Sequence, residues 1–137
     1  STMSRTYLIL AALMTATLAL HLFGGGPEFA APFAVELAAT PKLAAMALVL
    51  WHTVSVTLAI QALAYVSLAL RPNPPLFWLV LVMQLGWAAL FLVYGQSWLG
   101  EVWSLAQWTL FLGFPVLALV AEALRRRQGG AAVLPAE

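Results

Sequence analysis

The sequence predicts an all-α polytopic membrane protein, a four-transmembrane-helix bundle. Three observations predict it. The 137 residues are 64% hydrophobic and only 8% charged, where soluble domains run at about 25% charged. The charged residues leave four uncharged windows, 6–27, 43–70, 72–100 and 102–121. Each is long enough to cross a hydrocarbon core of about 30 Å once, and none is long enough to cross it twice. Glycine, proline and asparagine clusters fall where the chain would have to turn between windows. Six basic and five acidic side chains could not coat a water-soluble globule of this size. High hydrophobicity and low charge also exclude disorder. A net charge of +1 offers no basic surface to nucleic acid. The lack of cysteine removes disulfides, thiolate metal sites and cysteine nucleophiles together.

A single transmembrane domain is expected over 1–128, with spans at about 6–23, 41–70, 74–95 and 98–125. The first starts near Thr6 and is expected to stop at Gly24-Gly25-Gly26-Pro27, a strong helix breaker. Arg5 before an apolar run also fits a signal peptide, but we read the run as a retained span. In the loop 24–40, Phe29, Phe33, Val35 and Leu37 interleave with Glu28 and Glu36. That pattern fits either a short amphipathic interfacial helix or an irregular apolar loop. The second span opens with Thr40 as N-cap and Pro41 at the first helical position, and closes at Arg71-Pro72-Asn73-Pro74-Pro75. Asn73 caps the third, which runs to about Tyr94-Gly95. Ser97 is expected to cap the fourth, with Glu101 in its first turn complementing the dipole. Pro115 should kink that helix. Arg125-Arg126-Arg127 and Gly129-Gly130 mark its end, and residues 129–137 are expected to be a frayed cytoplasmic tail.

Four spans put both termini on one side. That side carries Arg5, Arg71, Arg125, Arg126 and Arg127, and the other only Lys42 among basic residues. The bias predicts cytoplasmic termini. Polar side chains inside spans are costly, and each needs a reason. No Asp, Glu, Lys or Arg lies deep in any span, which argues against a carboxylate-coupled transporter or a charged channel filter. His21, His52, Trp87, Tyr94 and Gln107 fall instead in the outer half by this topology. Gln84, Trp87, Phe91 and Tyr94 form one stripe of the third helix. Thr17 and His21 share a face of the first, and His52, Ser55, Ala59 and Ala62 share one of the second. Thr53, Thr57 and Gln61 form an adjacent polar row. Trp103, Gln107, Phe111 and Phe114 are expected to share a face of the fourth. Turned inward, these faces would enclose a cavity leaning to the outer leaflet.

Three readings of the two histidines stand open. Each imidazole bonds a neighbouring Thr, Gln or carbonyl across a helix interface. Alternatively His21 and His52 ligate a haem iron or part of a metal site. The third reading has them bond a carbonyl-bearing apolar molecule, such as a quinone or lipid, against Trp and Tyr walls. No nucleophile has an adjacent base and no carboxylate pair shares a span, so nothing supports catalysis.

The residues His21-x-x-Gly24-Gly25, Trp51-His52 and Gln107-Trp108 resemble a pattern in uncharacterised small four-span bacterial inner-membrane proteins, over residues 6–125. The resemblance implies the four-span fold, a bacterial inner (plasma) membrane location and no known activity, and it carries over no catalytic residue. The chain does not resemble small multidrug transporters, which need a carboxylate in the first helix. The expected function is a membrane binding protein with an outer-leaflet pocket formed by His21, His52, Gln84, Trp87, Tyr94 and Gln107. Its ligand is expected to be apolar, haem b or a quinone. The alternative is a non-catalytic accessory or assembly subunit docking to another membrane protein. The expected partners are the lipid bilayer and a membrane protein or second copy of the chain, with no nucleic acid.

Overall fold

The computed structural model describes residues 3–132 of the chain. Among these the fold is all-α, with no strand. The elements are α1 (Arg5–Leu20), a π-helical stretch His21–Ala30, α2 (Ala31–Glu36), α3 (Pro41–Leu70), α4 (Pro74–Tyr94), a π-helical turn Gly95–Leu99, and α5 (Trp108–Ala132). Four helical runs among the described residues are long and apolar enough to cross a membrane: Arg5–Glu36, Pro41–Leu70, Pro74–Leu99 and Trp108–Gly130. This matches the four spans expected and is consistent with a four-helix bundle. The chain divides into two compact units, one of Ala11–Val66, the other of the chain before Ala11 together with that from Ser67 onward.

In the Ala11–Val66 unit the expected break after residue 23 does not occur. The chain stays helical through Gly24-Gly25-Gly26-Pro27 by widening its turns, and the Ala31 N–H bonds the Gly26 carbonyl five residues back. In lipid no water can take up freed backbone groups, so a helix that loosens its register costs less than one that opens. The segment expected over 24–40 is therefore helical to Glu36, with the short helix α2 at its end, and the irregular loop considered for it is absent up to that residue. Thr40 does not cap α3 with its side chain; its hydroxyl donates to the Leu37 carbonyl at 3.3 Å. Its backbone carbonyl accepts the first α3 bonds, from Leu43 and Ala44. Ala11 and Met14 of α1 and Leu58, Gln61, Ala64 and Tyr65 of α3 are buried.

In the other unit α4 packs on α5. Asn73 caps α4 as expected, its side-chain oxygen accepting from the Leu76 N–H at 3.2 Å. Phe77, Val80, Leu81, Gln84 and Ala88 make the buried stripe of α4 at helical spacing. Phe111, Phe114, Ala118 and Ala121 do so for α5. The fourth span starts ten residues later than expected, at Trp108 rather than 98. Ser97 lies in the π-helical continuation of α4 and caps nothing. The Glu101 carboxylate closes a separate turn instead, accepting from the Trp103 N–H at 2.5 Å, from the Ser104 N–H and from the Ser104 hydroxyl. Those bonds, led by the Ser104 hydroxyl, hold its pKa below the ordinary carboxylate value. Gly100, at φ 72°, sits in the left-handed region and lets the chain turn there. The Trp108 indole N–H then reaches back to the Val102 carbonyl at 2.9 Å, fixing the start of α5. With residues 100–107 outside any helix, Trp103 and Gln107 do not share a helix face with Phe111 and Phe114. At the far end α5 continues through Gly129-Gly130 to Ala132. The frayed tail expected over 129–137 is thus helical as far as Ala132, and its remainder lies outside the described residues.

Candidate functional site

His21 and His52 come together on one serine. His21 opens the π-helical stretch, and its Nε2 lies 2.8 Å from Ser55 Oγ. His52 stands one helical turn before Ser55 on α3, and its Nδ1 lies 3.3 Å from the same oxygen. The two imidazole nitrogens are therefore no further apart than the sum of those distances. The Ser55 hydroxyl also approaches its own helix at the Trp51 carbonyl, at 3.4 Å. Trp51 covers the cluster on one side. Its ring stacks on His21 with centroids 4.1 Å apart and planes 18° from parallel. Phe29 and Phe33 approach Trp51 at 5.8 and 6.4 Å.

Glycine makes this approach feasible. A Cβ on Gly25 would lie 2.8 Å from Trp51 Cη2, closer than real Cβ contacts come, so the backbone of the wide turn lies directly on the indole. His21 is half-buried, while His52 is exposed, and the His52 Nε2 has no hydrogen-bond partner among the described residues.

A serine oxygen carries one hydrogen to give and lone pairs to receive, and a neutral imidazole donates from one nitrogen and accepts at the other. A continuous chain therefore fits the geometry: His21 Nε2–H donates to Ser55, Ser55 O–H donates to His52 Nδ1, and His52 Nε2–H points a donor outward. The reverse order, or Ser55 donating to the Trp51 carbonyl while both imidazoles donate to Ser55, leaves an acceptor at the same outer nitrogen.

The other residues expected at the site are placed as follows. Thr17, Thr53 and Thr57 each donate their hydroxyl to the carbonyl four residues back, at 2.8, 2.8 and 2.7 Å, so the expected polar row on α3 is largely turned to its own helix. Gln84 and Trp87 belong to the other unit. There Gln84 is fully buried, and Trp87 meets Phe111 edge-on at 5.0 Å. Phe91 stacks on the same Phe111 at 6.1 Å. Tyr94 is 55% exposed at the end of α4. The Gln107 carbonyl accepts bonds in the first turn of α5, from Leu110 and Phe111. Gln84, Trp87, Tyr94 and Gln107 therefore belong to a different unit from the histidines.

Ser55 as the bridge and Trp51 as the cover were not singled out from the sequence, although the three-residue step from His52 to Ser55 was visible there. Compared with known proteins, the chain matches no family model, no curated protein and no solved structure. The site is read from its own chemistry. No group of three or more His, Cys, Asp or Glu side chains among the described residues is placed to hold a metal ion. His21 and His52 alone would give a metal two protein ligands, below the three or four of a zinc site.

Proposed function

We propose that this is a non-catalytic membrane binding protein whose His21–Ser55–His52 chain recognises a lipid-soluble, carbonyl-bearing molecule of the quinone class. The observation that carries the reading is His52: an exposed imidazole inside a membrane-spanning helix, held by Ser55 through one nitrogen and unpartnered at the other. A polar group left so in hydrocarbon is costly. A ligand carbonyl accepting from Nε2–H would remove that cost while the ligand's apolar body stays in the bilayer. Trp51, stacked on His21, supplies an aromatic wall and a fluorophore beside the site.

The test is tryptophan quenching by a short-chain benzoquinone in detergent-solubilised full-length protein. Saturable quenching is expected, weakened about tenfold in His52→Ala, the worth of one hydrogen bond near the top of the neutral range. Quenching that does not saturate, or that is the same in His52→Ala, overturns the reading. A Soret band in the purified protein would assign the histidines to haem b instead.

A second reading is favoured by the outer face of α3. Met46, Val49, Thr53, Val56, Ile60 and Leu63 are all exposed and repeat at alternating steps of three and four. That is the seam pattern of a packed helix pair, as a docking or assembly subunit would need. We further propose cytoplasmic termini in a bacterial inner membrane. The support is the arginine bias, and Ser4, Leu68, Ala69 and Arg125 bond one another at a single end of their unit. A periplasm-active reporter fused after Glu137 should be silent; activity there would invert the topology.

A further inference from the structure

We infer that the chain holds a phosphate-bearing anion at the arginine-rich end of the unit formed by residues 3–10 and 67–132. A cavity of about 460 Å³ opens there, lined by Met3, Ser4, Arg5, Thr6, Leu124, Arg125 and Gln128. Two arginines, a serine, a threonine and a glutamine line it, and among the described residues no acid does. The nearest acid in sequence, Glu122, is engaged elsewhere, accepting from the Tyr7 hydroxyl at 2.5 Å.

Arg125 is placed before any ligand arrives. Its Nη2 donates to the Leu68 carbonyl and, at 3.3 Å, to that of Ala69. Its guanidinium lies over the Tyr7 ring, 5.2 Å from the centroid. Nη1 is buried with no hydrogen-bond partner among the described residues. A buried guanidinium N–H without an acceptor is an unmet demand for one, and the charge of the group favours an anionic acceptor. Arg5, exposed across the lining, supplies the second charge, and α1 begins at Arg5, so its positive dipole end is on the same side.

Phosphate oxygens match this donor set: charged forks for bidentate contact, with hydroxyl and amide donors around them. The phosphate could come from an acidic lipid headgroup or be free in solution. Basic residues at the end of membrane spans favour the headgroup.

The experiment uses delipidated full-length protein in a neutral detergent. Native mass spectrometry would compare retention of phosphatidylglycerol with phosphatidylcholine, and melting would be followed with added inorganic phosphate. Preferential retention of phosphatidylglycerol is expected, falling about tenfold in Arg5→Gln, the worth of one charge-assisted hydrogen bond, and falling also in Gln128→Ala. Arg127→Gln, an exposed arginine outside the lining, should retain the lipid as the parent does. Arg125 is left intact because it also ties the end of α3. A raised melting temperature with inorganic phosphate but no lipid preference would assign the site to free phosphate. Equal losses in Arg5→Gln and Arg127→Gln would mean diffuse charge attraction and overturn the site. No response to either phosphate source would do the same.

Discussion

Gly25 and Gly26 are neighbours in the same wide-turned stretch, yet they should respond oppositely to the same added methyl. A Cβ on Gly26 meets nothing within 4 Å, while one on Gly25 falls 2.8 Å from Trp51 Cη2 and 3.1 Å from Cζ2. Both substitutions gain from replacing glycine in a helix, up to about 1 kcal/mol. Gly26→Ala should keep that gain. Gly25→Ala must also move an indole that His21, Phe29 and Phe33 already surround, and overpacking of this kind costs about 1–3 kcal/mol. Gly25→Ala should therefore be the less stable of the two by about 1–3 kcal/mol. The comparison cancels the shared backbone term. Reversible unfolding of the two variants in mixed detergent micelles, followed by tryptophan fluorescence, measures it. The emission of native Gly25→Ala should also shift, because the displaced ring is Trp51. Equal stability, or a more stable Gly25→Ala, would refute the close approach and with it the placement of Trp51 over His21.

Tyr7→Phe should lower stability by about 1–3 kcal/mol, since Glu122 loses the hydroxyl it accepts from; an unchanged melting curve would place the carboxylate in solvent. Glu101 is held below its ordinary pKa. Its contribution to the 100–107 turn should thus be complete above the usual carboxylate pKa and be lost as pH falls through its own lower value. Ser104→Ala should move that loss to higher pH, read as the onset of proteolytic cleavage in the turn. The chain has no cysteine, so Val56→Cys offers a clean test of the exposed α3 seam. Oxidation in membranes should give a covalent dimer if the seam packs on a second copy, and only monomer if lipid covers it.

The spans were legible because charge is excluded from hydrocarbon. The Thr40-Pro41 and Arg71-Pro72 signals located α3, and Asn73-Pro74 the start of α4, to the residue. What misled was punctuation calibrated on water. Gly24-Gly25-Gly26-Pro27 ends a helix where solvent can take the freed N–H and C=O groups, and in an apolar run they stay paired at wider spacing. By sequence position Glu101 suits a helix-dipole partner. Its bonds to Trp103 and Ser104 instead close a turn of their own, which delays α5 to Trp108. Within the site, the two histidines and their face with Ser55 were visible from spacing. That His21 would reach Ser55 depends on how the π-helical stretch meets α3, which no periodicity within one helix encodes. The partition of Gln84, Trp87, Tyr94 and Gln107 into another unit was equally invisible, because helical faces fix rotation and not neighbours.

The wide-turned stretch also makes the chain unusually sensitive to length. In an α-helix each residue advances the face by about 100°, so an insertion or deletion rotates everything beyond it. The π-helical register of His21–Ala30 accommodates more chain per turn than the α-helix on either side. Deleting one glycine there without a matching change of register would swing Phe29 and Phe33 away from Trp51, although every side chain in the cluster was kept. The residue count between His21 and Phe33 is therefore as much a part of the site as the residues themselves.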